Sequence, residues 1–512
     1  MVCNTTSAGI GHGRPGILQQ AFPAEPTGTR VQCMREKHRV AVVSRYLLCS
    51  FLLVLTLPFA QVSRSADPLD DFPLPLGAEW AQLFPEAFAR SIVSTPEGYV
   101  VAGRQNGPSG SSSLDLWTIL IAYSADGTLS DQKTFHLDAD HNEAFDIITS
   151  RDATDSWDGF IVTGAKHQAF SEDGHDYYNA YVWLMKTGPD LERVWEQTFG
   201  DPFSDYGFAV LDDGNGYIVS GQYSNPNESA YLVRTDHSGV GGWEASWATD
   251  PRWLFMPVTH GAAPATDGGL VVATDSGLHK LGHYTAAARP DDTPDWSQST
   301  SDSLRSVIAV ADGYVATGSV QVPGDPDHTD LVLLKVATDG SLTWRHTYGR
   351  TSPALGATGL NDFGNEVIET ADGGYAVAGS TYSYAWHVGS DIWLLKTDAD
   401  GTIEWDIVAG DSNSDFGAGV VQDASGDLVV TGTVGYDDGL GGGMKDWIYT
   451  VKFPDGYAPP SPAFSYTPAS PFFIEEPVYF DASGSSPGGP SDTLVLYEWD
   501  FGDGHTGAGS TA

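Results

Sequence analysis

Apolar and polar positions alternate in short runs through most of the chain, and Gly and Asp punctuate the runs. The plainest stretch is 362–409, DFGNEVIETADGGYAVAGSTYSYAWHVGSDIWLLKTDADGTIEWDIVA. It opens on the alternating run NEVIETA, turns at DGG, and continues into the near-continuous apolar run GYAVAGST. A variable loop leads to DIWLLKTD, and an Asp/Gly turn leads to the alternating TIEWDIVAG. Period-two alternation marks a strand with one buried face, whereas an unbroken apolar run marks a strand buried on both. The segment therefore predicts four strands joined by tight turns. No long stretch carries a 3.6-residue apolar period, so helix is expected to be scarce.

The second of these strands recurs seven times: GYVVAGR at 98, GFIVTGA at 159, GYIVSGQ at 216, GLVVATD at 269, GYVATGS at 313, GYAVAGS at 374 and DLVVTGT at 427. The copies are spaced by about 55 residues on average, enough for a four-stranded unit with its loops. The third strand recurs with Trp117, Trp183, Trp393 and Trp447, and the fourth carries Trp195, Trp243, Trp296, Trp344 and Trp405. After the seventh third strand the chain turns to a proline-rich segment and supplies no fourth. The missing strand lies at the other end, where GAEWAQLFP (77–85) matches VWEQTFG and EWDIVAG, placing Trp80 where Trp405 stands. These features predict an all-β, seven-bladed β-propeller over 77–456, closed by an N-terminal strand pairing with 446–454. The tryptophans are expected to fill the spaces between blades. The repeat resembles the repeat propellers of secreted and surface proteins of bacteria and archaea, a resemblance that implies an architecture more than an activity.

Both ends of the chain read differently. Residues 46–60, YLLCSFLLVLTLPFA, form an apolar run preceded by Arg35, Lys37, Arg39 and Arg45. That is the n-region and h-region pattern of a secretory signal, too short to span a bilayer comfortably. Residues 1–66 are therefore expected to be a leader with a long preface, the true start falling at Met34, and no membrane span is expected in the mature chain. At the other end, 457–466 reads as a proline-rich linker. Beyond it, EPVYFDASGSS and YEWDFGDG resemble a PKD domain, an immunoglobulin-like β-sandwich, over 467–512. The resemblance implies that Trp499 and Phe501 point into a sandwich core while Asp500, Gly502, Asp503 and Gly504 make the turn after the strand. The H-x-Y segment of such domains is not present, so a partial module is expected.

Charge narrows the choice of partners. Residues 1–66 hold seven of the 25 Lys and Arg and two of the 67 Asp and Glu, so the rest carries 18 against 65, a net charge of −47. Such a surface repels nucleic-acid phosphates and anionic headgroups. All three cysteines (Cys3, Cys33, Cys49) also lie in the leader, so the body carries no disulfide, thiolate nucleophile or cysteine-ligated zinc.

Candidate chemistry is sparse. An acid stands near the start of the first strand in most repeats: Glu86, Glu143, Asp205, Asp302, Asp362 and Asp415. Either these carboxylates ring one mouth of the central channel and suit a cation such as calcium, or each accepts hydrogen bonds from turn N–H groups. Asp398-Ala399-Asp400-Gly401 resembles a fragment of a calcium loop but reads as a hairpin turn without later acidic ligands. His279 and His283 are spaced i, i+4, yet HKLGH lacks the glutamate of a zinc protease. Two functional classes follow. One is a secreted or cell-surface binding or structural protein, recognising an extracellular protein or glycan and needing no cofactor. The other is a propeller enzyme, a carbohydrate-active enzyme or a relative of the quinoproteins, whose D-x-x-T-G-K-x-x-W turn DADGTIEW resembles.

Overall fold

A computed structural model of the chain describes residues 31–35, 75, 78–106, 116–136, 141–152, 154–172, 175–201, 204–224, 229–246, 258–285, 290, 294–299, 302–349, 360–384, 389–410, 413–437, 444–457, 463, 465–467, 479–485, 492–500 and 506–508. They divide into two compact units, 61–455 and a second made from 1–60 and 456–512. The described residues form strands and no helix, and no helix among them is long and apolar enough to cross a membrane.

The larger unit is a seven-bladed propeller of four-stranded antiparallel sheets. The inner strands are Ala87–Thr95, His141–Arg151, Tyr206–Asp212, Thr259–Pro264, Asp302–Val310, Asp362–Glu369 and Phe416–Gln422. Each touches the next, and Phe416–Gln422 touches Ala87–Thr95, so they make a complete ring around the axis. The blade read most plainly from sequence continues outward through Tyr375–Thr381, Asp391–Thr397 and Ile403–Ala409. In the seventh sheet the fourth strand is Trp80–Phe84, antiparallel to Met444–Phe453 from Trp80 opposite Lys452 to Phe84 opposite Ile448.

Burial follows the repeat. Tyr375–Thr381 and Asp391–Thr397 are buried at every position, whereas the outer strand Ile403–Ala409 begins exposed. This is why the middle strands read as unbroken apolar runs and the outer ones alternate. The seams between blades repeat one aromatic contact. Trp80 packs on Tyr99 of the next blade at 5.8 Å, Trp195 on Tyr217 at 6.3 Å, Trp296 on Tyr314 at 6.0 Å and Trp344 on Tyr375 at 5.9 Å. Close against each indole lies a glycine of the next blade's hairpin: Gly127, Gly239, Gly340 and Gly401, with φ from 77° to 83°. A Cβ at Gly127 would sit 2.5 Å from the Trp80 ring, so glycine answers both the left-handed turn and the close approach. Trp80 and Trp296 also donate their indole N–H to carbonyls of that turn, at Ala125 and Thr338, both at 3.2 Å. Trp183 and Trp393 are buried outright in the seams.

A polar clamp recurs beside the seam. The cation near the end of the third strand meets the aspartate of the first hairpin: Lys186 with Asp158 at 2.6 Å, Arg234 with Asp213 at 2.8 Å, Lys335 with Asp312 at 2.7 Å, Lys396 with Asp372 at 2.8 Å and Lys452 with Asp427 at 2.7 Å. The LLKTD and DGGY motifs are thus two halves of one contact.

In the smaller unit Val31–Arg35, which contains Met34, pairs with Asp492–Asp500, and the latter pairs with Thr506–Ala508. Trp499 stands opposite Gly507 and Asp500 opposite Thr506, whereas Phe501, Gly502, Asp503 and Gly504 lie outside the described residues. Ser465–Thr467 pairs with Tyr479–Asp481. The apolar run 46–60 is also outside the described residues.

Candidate functional site: the axial hub

Every inner strand carries a β-bulge at the same place, where its register against the second strand slips by one residue. The slip leaves Arg90, Phe145, Phe208, His260, Arg305, Asn365 and Ala418 as the extra residues. In six of the seven blades the cause is legible one strand away; in the fourth, Thr274 stands opposite Thr259 and the His260 bulge forms without a glycine there. The last glycine of the G-Y-x-V-x-G pattern has no Cβ where the inner-strand carbonyl presses in: a Cβ at Gly103 would lie 2.1 Å from the Phe88 oxygen, and one at Gly318 would lie 2.0 Å from that of Ser303. A bulge re-aims the extra side chain, and here it faces the axis.

The re-aimed side chains meet their neighbours around the ring. The Arg90 guanidinium lies 4.8 Å from the Phe145 ring centre, Phe145 packs edge-on against Phe208 at 5.3 Å, and Phe208 lies 5.5 Å from His260. His260 shares a hydrogen bond with Asp275 at 3.2 Å. Arg305 reaches Asn365 at 3.4 Å, and the Asn365 amide donates to the Gly417 carbonyl at 2.6 Å. Arg90 also lies 4.9 Å from the Phe88 ring, with Arg104 over the same ring at 4.8 Å. Both guanidiniums share one oxygen of Glu143, each at 3.3 Å, and the Nε of Arg90 has no hydrogen-bond partner among the described residues. Burial, and then the neighbouring Arg104 and Arg305, lower the Arg90 pKa against the pull of Glu143. Burial lowers that of Arg305 as well. These groups touch water along the channel yet have protein on most sides, which is how an open guanidinium can still be poorly solvated.

One step along the axis stand Asp146 and Glu366. Asp146 accepts from the Ser91 hydroxyl at 2.8 Å and from the Val210 N–H at 2.9 Å, joining three successive inner strands. Glu366 accepts from the Val420 N–H at 2.8 Å, and Gly419 leaves the space its carboxyl occupies. Burial raises the pKa of both, and burial together with Asp146 pushes Glu366 up to about 8. At the far end Ser94, Ile368, Glu369, Val421 and Gln422 border an open depression of about 1010 Å³.

The six acids marked out in the sequence are spread over several tasks. Asp205, Asp302, Asp362 and Asp415 are fully buried. Asp205 accepts from the N–H groups of Ser224 and Asp201 at 3.0 and 3.1 Å, Asp362 from the hydroxyls of Thr381 and Ser383 at 2.6 Å each, and Asp415 from the Gly435 N–H at 3.0 Å. Asp205 and Asp362 fasten the start of an inner strand to the end of the second strand and the residues after it, and Asp415 fastens it to the second strand itself. Burial pushes Asp205 and Asp362 up to about 6. Asp302 instead takes both arms of Arg345, at 2.6 and 3.0 Å. Glu143 touches the hub through Arg90, and the exposed Glu86 pairs with Lys445 at 2.6 Å. Among the described residues no three His, Cys, Asp or Glu side chains gather into a group that could hold a metal ion. Asp398 accepts from the N–H groups of Asp400 and Thr402 at 3.0 and 2.8 Å, the hydrogen bonding of a tight turn. His279 is buried between Ser276 and Ser297, and burial draws its pKa down to about 4. The hub residues themselves carry no motif in the sequence; the signal that could have located six of them is the glycine opposite the bulge, whereas His260 lies opposite Thr274 and has no such marker.

No family model matches the chain and no curated protein does. Solved structures that resemble it include a protein of unknown function from Dyadobacter fermentans, 12% identical, covering 73% of this chain and 98% of that one at a TM-score of 0.39. The WD40 domain of Pan2 from Neurospora crassa is 10% identical, with coverages of 75% and 99% and a TM-score of 0.40. A glucose dehydrogenase is 11% identical, with coverages of 73% and 99% and a TM-score of 0.34. Likeness at this level carries no argument about activity.

Proposed function

We propose that the protein is a secreted or cell-surface binding protein whose propeller recognises an extracellular glycan or protein through its hub. The observation that carries the reading is the ring of bulged side chains. Seven copies of one scaffold element present Arg, Phe, His, Asn and Ala to a common axis, and varied groups on a rigid frame are what selective recognition needs. Trp80–Phe84 is read as the clasp of the ring, supported by its pairing with Met444–Phe453. The export pattern at 46–60, the PKD-like sequence near Trp499 and the cysteine-free acidic body all favour an extracellular setting.

The full chain applied to an immobilised array of extracellular glycans and matrix proteins tests the reading. Retention on at least one class is expected, with retention weakened by Phe208→Ala. Turnover of an arrayed glycan without a stable complex would replace binding with catalysis as the function.

A further inference from the structure

We propose that the hub holds an anion-binding site whose ligand is a carboxylate carried on a ring-shaped body, a uronic acid being the simplest sugar of that kind. The inference rests on the hub-binding reading above and names its ligand class.

Local charge is the first ground. Beyond residue 66 the chain carries a net charge of −47, yet Arg90, Arg104 and Arg305 gather at one end of its axis. Arg90 and Arg104 share a single oxygen of Glu143, so two cations have one anion between them. Arg305 reaches the neutral Asn365 at 3.4 Å and shares the field of Asp275, whose oxygens are taken by His260 and the Ser303 hydroxyl. Three guanidiniums thus face two carboxylates, Glu143 and Asp275, in a chain whose net charge is strongly negative.

Geometry is the second ground. A guanidinium presents its donors in a planar fork that matches a carboxylate; Arg90 gives its Nη2 to Glu143, and its buried Nε has no hydrogen-bond partner among the described residues. Its face is already held between Phe88 and Phe145, so what remains to offer a ligand is the in-plane edge. Phe145, Phe208 and the stacked Tyr206 form an aromatic wall beside it, Tyr206 and Phe208 lying parallel within 1° at 6.0 Å. Such a wall suits the flat apolar face of a sugar or other ring. The next layer inward, Asp146 and Glu366, already accepts hydrogen bonds from the inner strands, so the anion is expected to stop at the arginine level.

Calorimetric titration of the full chain with sodium glucuronate, glucose and sodium acetate provides the test. Glucuronate is expected to bind more tightly than either, because glucose lacks the charge and acetate lacks the ring. Loss of a charge-assisted hydrogen bond corresponds to about a 10- to 100-fold weaker complex, and that loss is expected in both Arg90→Gln and Arg305→Gln. Arg305 stands on the exposed side of the ring, so Arg305→Gln keeps the test valid if Arg90→Gln folds poorly. Equal binding of glucose and glucuronate, no binding of glucuronate, or glucuronate binding untouched by Arg305→Gln would each overturn the site. If the site falls while array retention persists and ignores both arginine changes, a binding function survives and only the axial carboxylate site is lost.

Discussion

The seams between blades and the hub they surround come from the same repeats and show opposite habits. In the seams four tryptophans meet four tyrosines at 5.8–6.3 Å, each with a hairpin glycine behind it. At the hub, equivalent positions hold Arg90, Phe145, Phe208, His260, Arg305, Asn365 and Ala418, no more than two alike. A seam must be filled to crystal-like density, so its side chains converge on one solution. The hub side chains are only partly buried around the axis, where volume is not conserved and chemistry is free to vary. Uniformity marks what holds this molecule together, and variety marks where it can act.

The largest effect that this contrast predicts is at Trp80. It is 5% exposed, packs on Tyr99 and Tyr123, and donates to the Ala125 carbonyl. Burying an indole removes on the order of 150–250 Å² from water, roughly 4–6 kcal/mol as an upper estimate. Trp80→Ala is expected to cost about 3–5 kcal/mol in chemical denaturation. Removal of residues 1–86 should be worse and should bring aggregation, since it strips the partner from Met444–Phe453. A truncated protein that melts like the intact one would break the comparison, because seam seven would then hold without its aromatic.

Next in size is Gly318→Ala, which ties the second strand to the hub. Its new Cβ would fall 2.0 Å from the Ser303 carbonyl, and relief requires the Arg305 bulge to move. A loss of about 1–3 kcal/mol is expected, read from the denaturant midpoint. Gly373→Ala offers a control without the steric clash, since nothing lies within 4 Å of its Cβ, although its φ of 83°, unlike the strand φ of Gly318, carries a strain of its own.

A subtler effect concerns Glu366, whose folded pKa is raised from 4.5 to about 8. The folded state holds this proton more tightly than the unfolded chain. Its contribution is therefore fully present below about pH 4.5 and is lost as the pH rises through about 8. Glu366→Gln is expected to raise the melting temperature by several degrees at pH 9, relative to the parent, and to leave it nearly unchanged at pH 4.5. An equal shift at both values would show that the carboxyl ionises as an ordinary surface group. The smallest effect is expected from Arg305→Gln, within about 0.5 kcal/mol of the parent; a larger loss would make the hub part of the frame.

Much of this architecture is legible in the sequence because burial leaves a period. Tyr375–Thr381 and Asp391–Thr397 are buried on both faces and read as unbroken apolar runs, while Ile403–Ala409 alternates. The tryptophans that turn out to occupy the seams recur at a fixed offset from those runs. The partners of the acids are much less legible. Asp205, Asp362 and Asp415 accept hydrogen bonds from backbone N–H groups and hydroxyls within their own blades. Asp302 instead meets Arg345 on the outer strand of its own blade, and Glu143, one position along the repeat, meets Arg90 of the preceding blade. Those partners stand 43 and 53 residues away, and no local rule selects them.

The chain's own order of residues determined the strand count, the sevenfold repeat and the glycines at hairpins and bulges, since each depends on neighbours within a few positions or on periodic burial. Only the tertiary structure decided what the axis contains. Arg90, Phe145, Phe208, His260 and Arg305 lie some fifty residues apart in sequence, on unremarkable strand positions. They become one site because all seven inner strands bulge at the same place, six of them opposite a glycine with no Cβ and the fourth opposite Thr274, and the bulges aim these side chains at the axis.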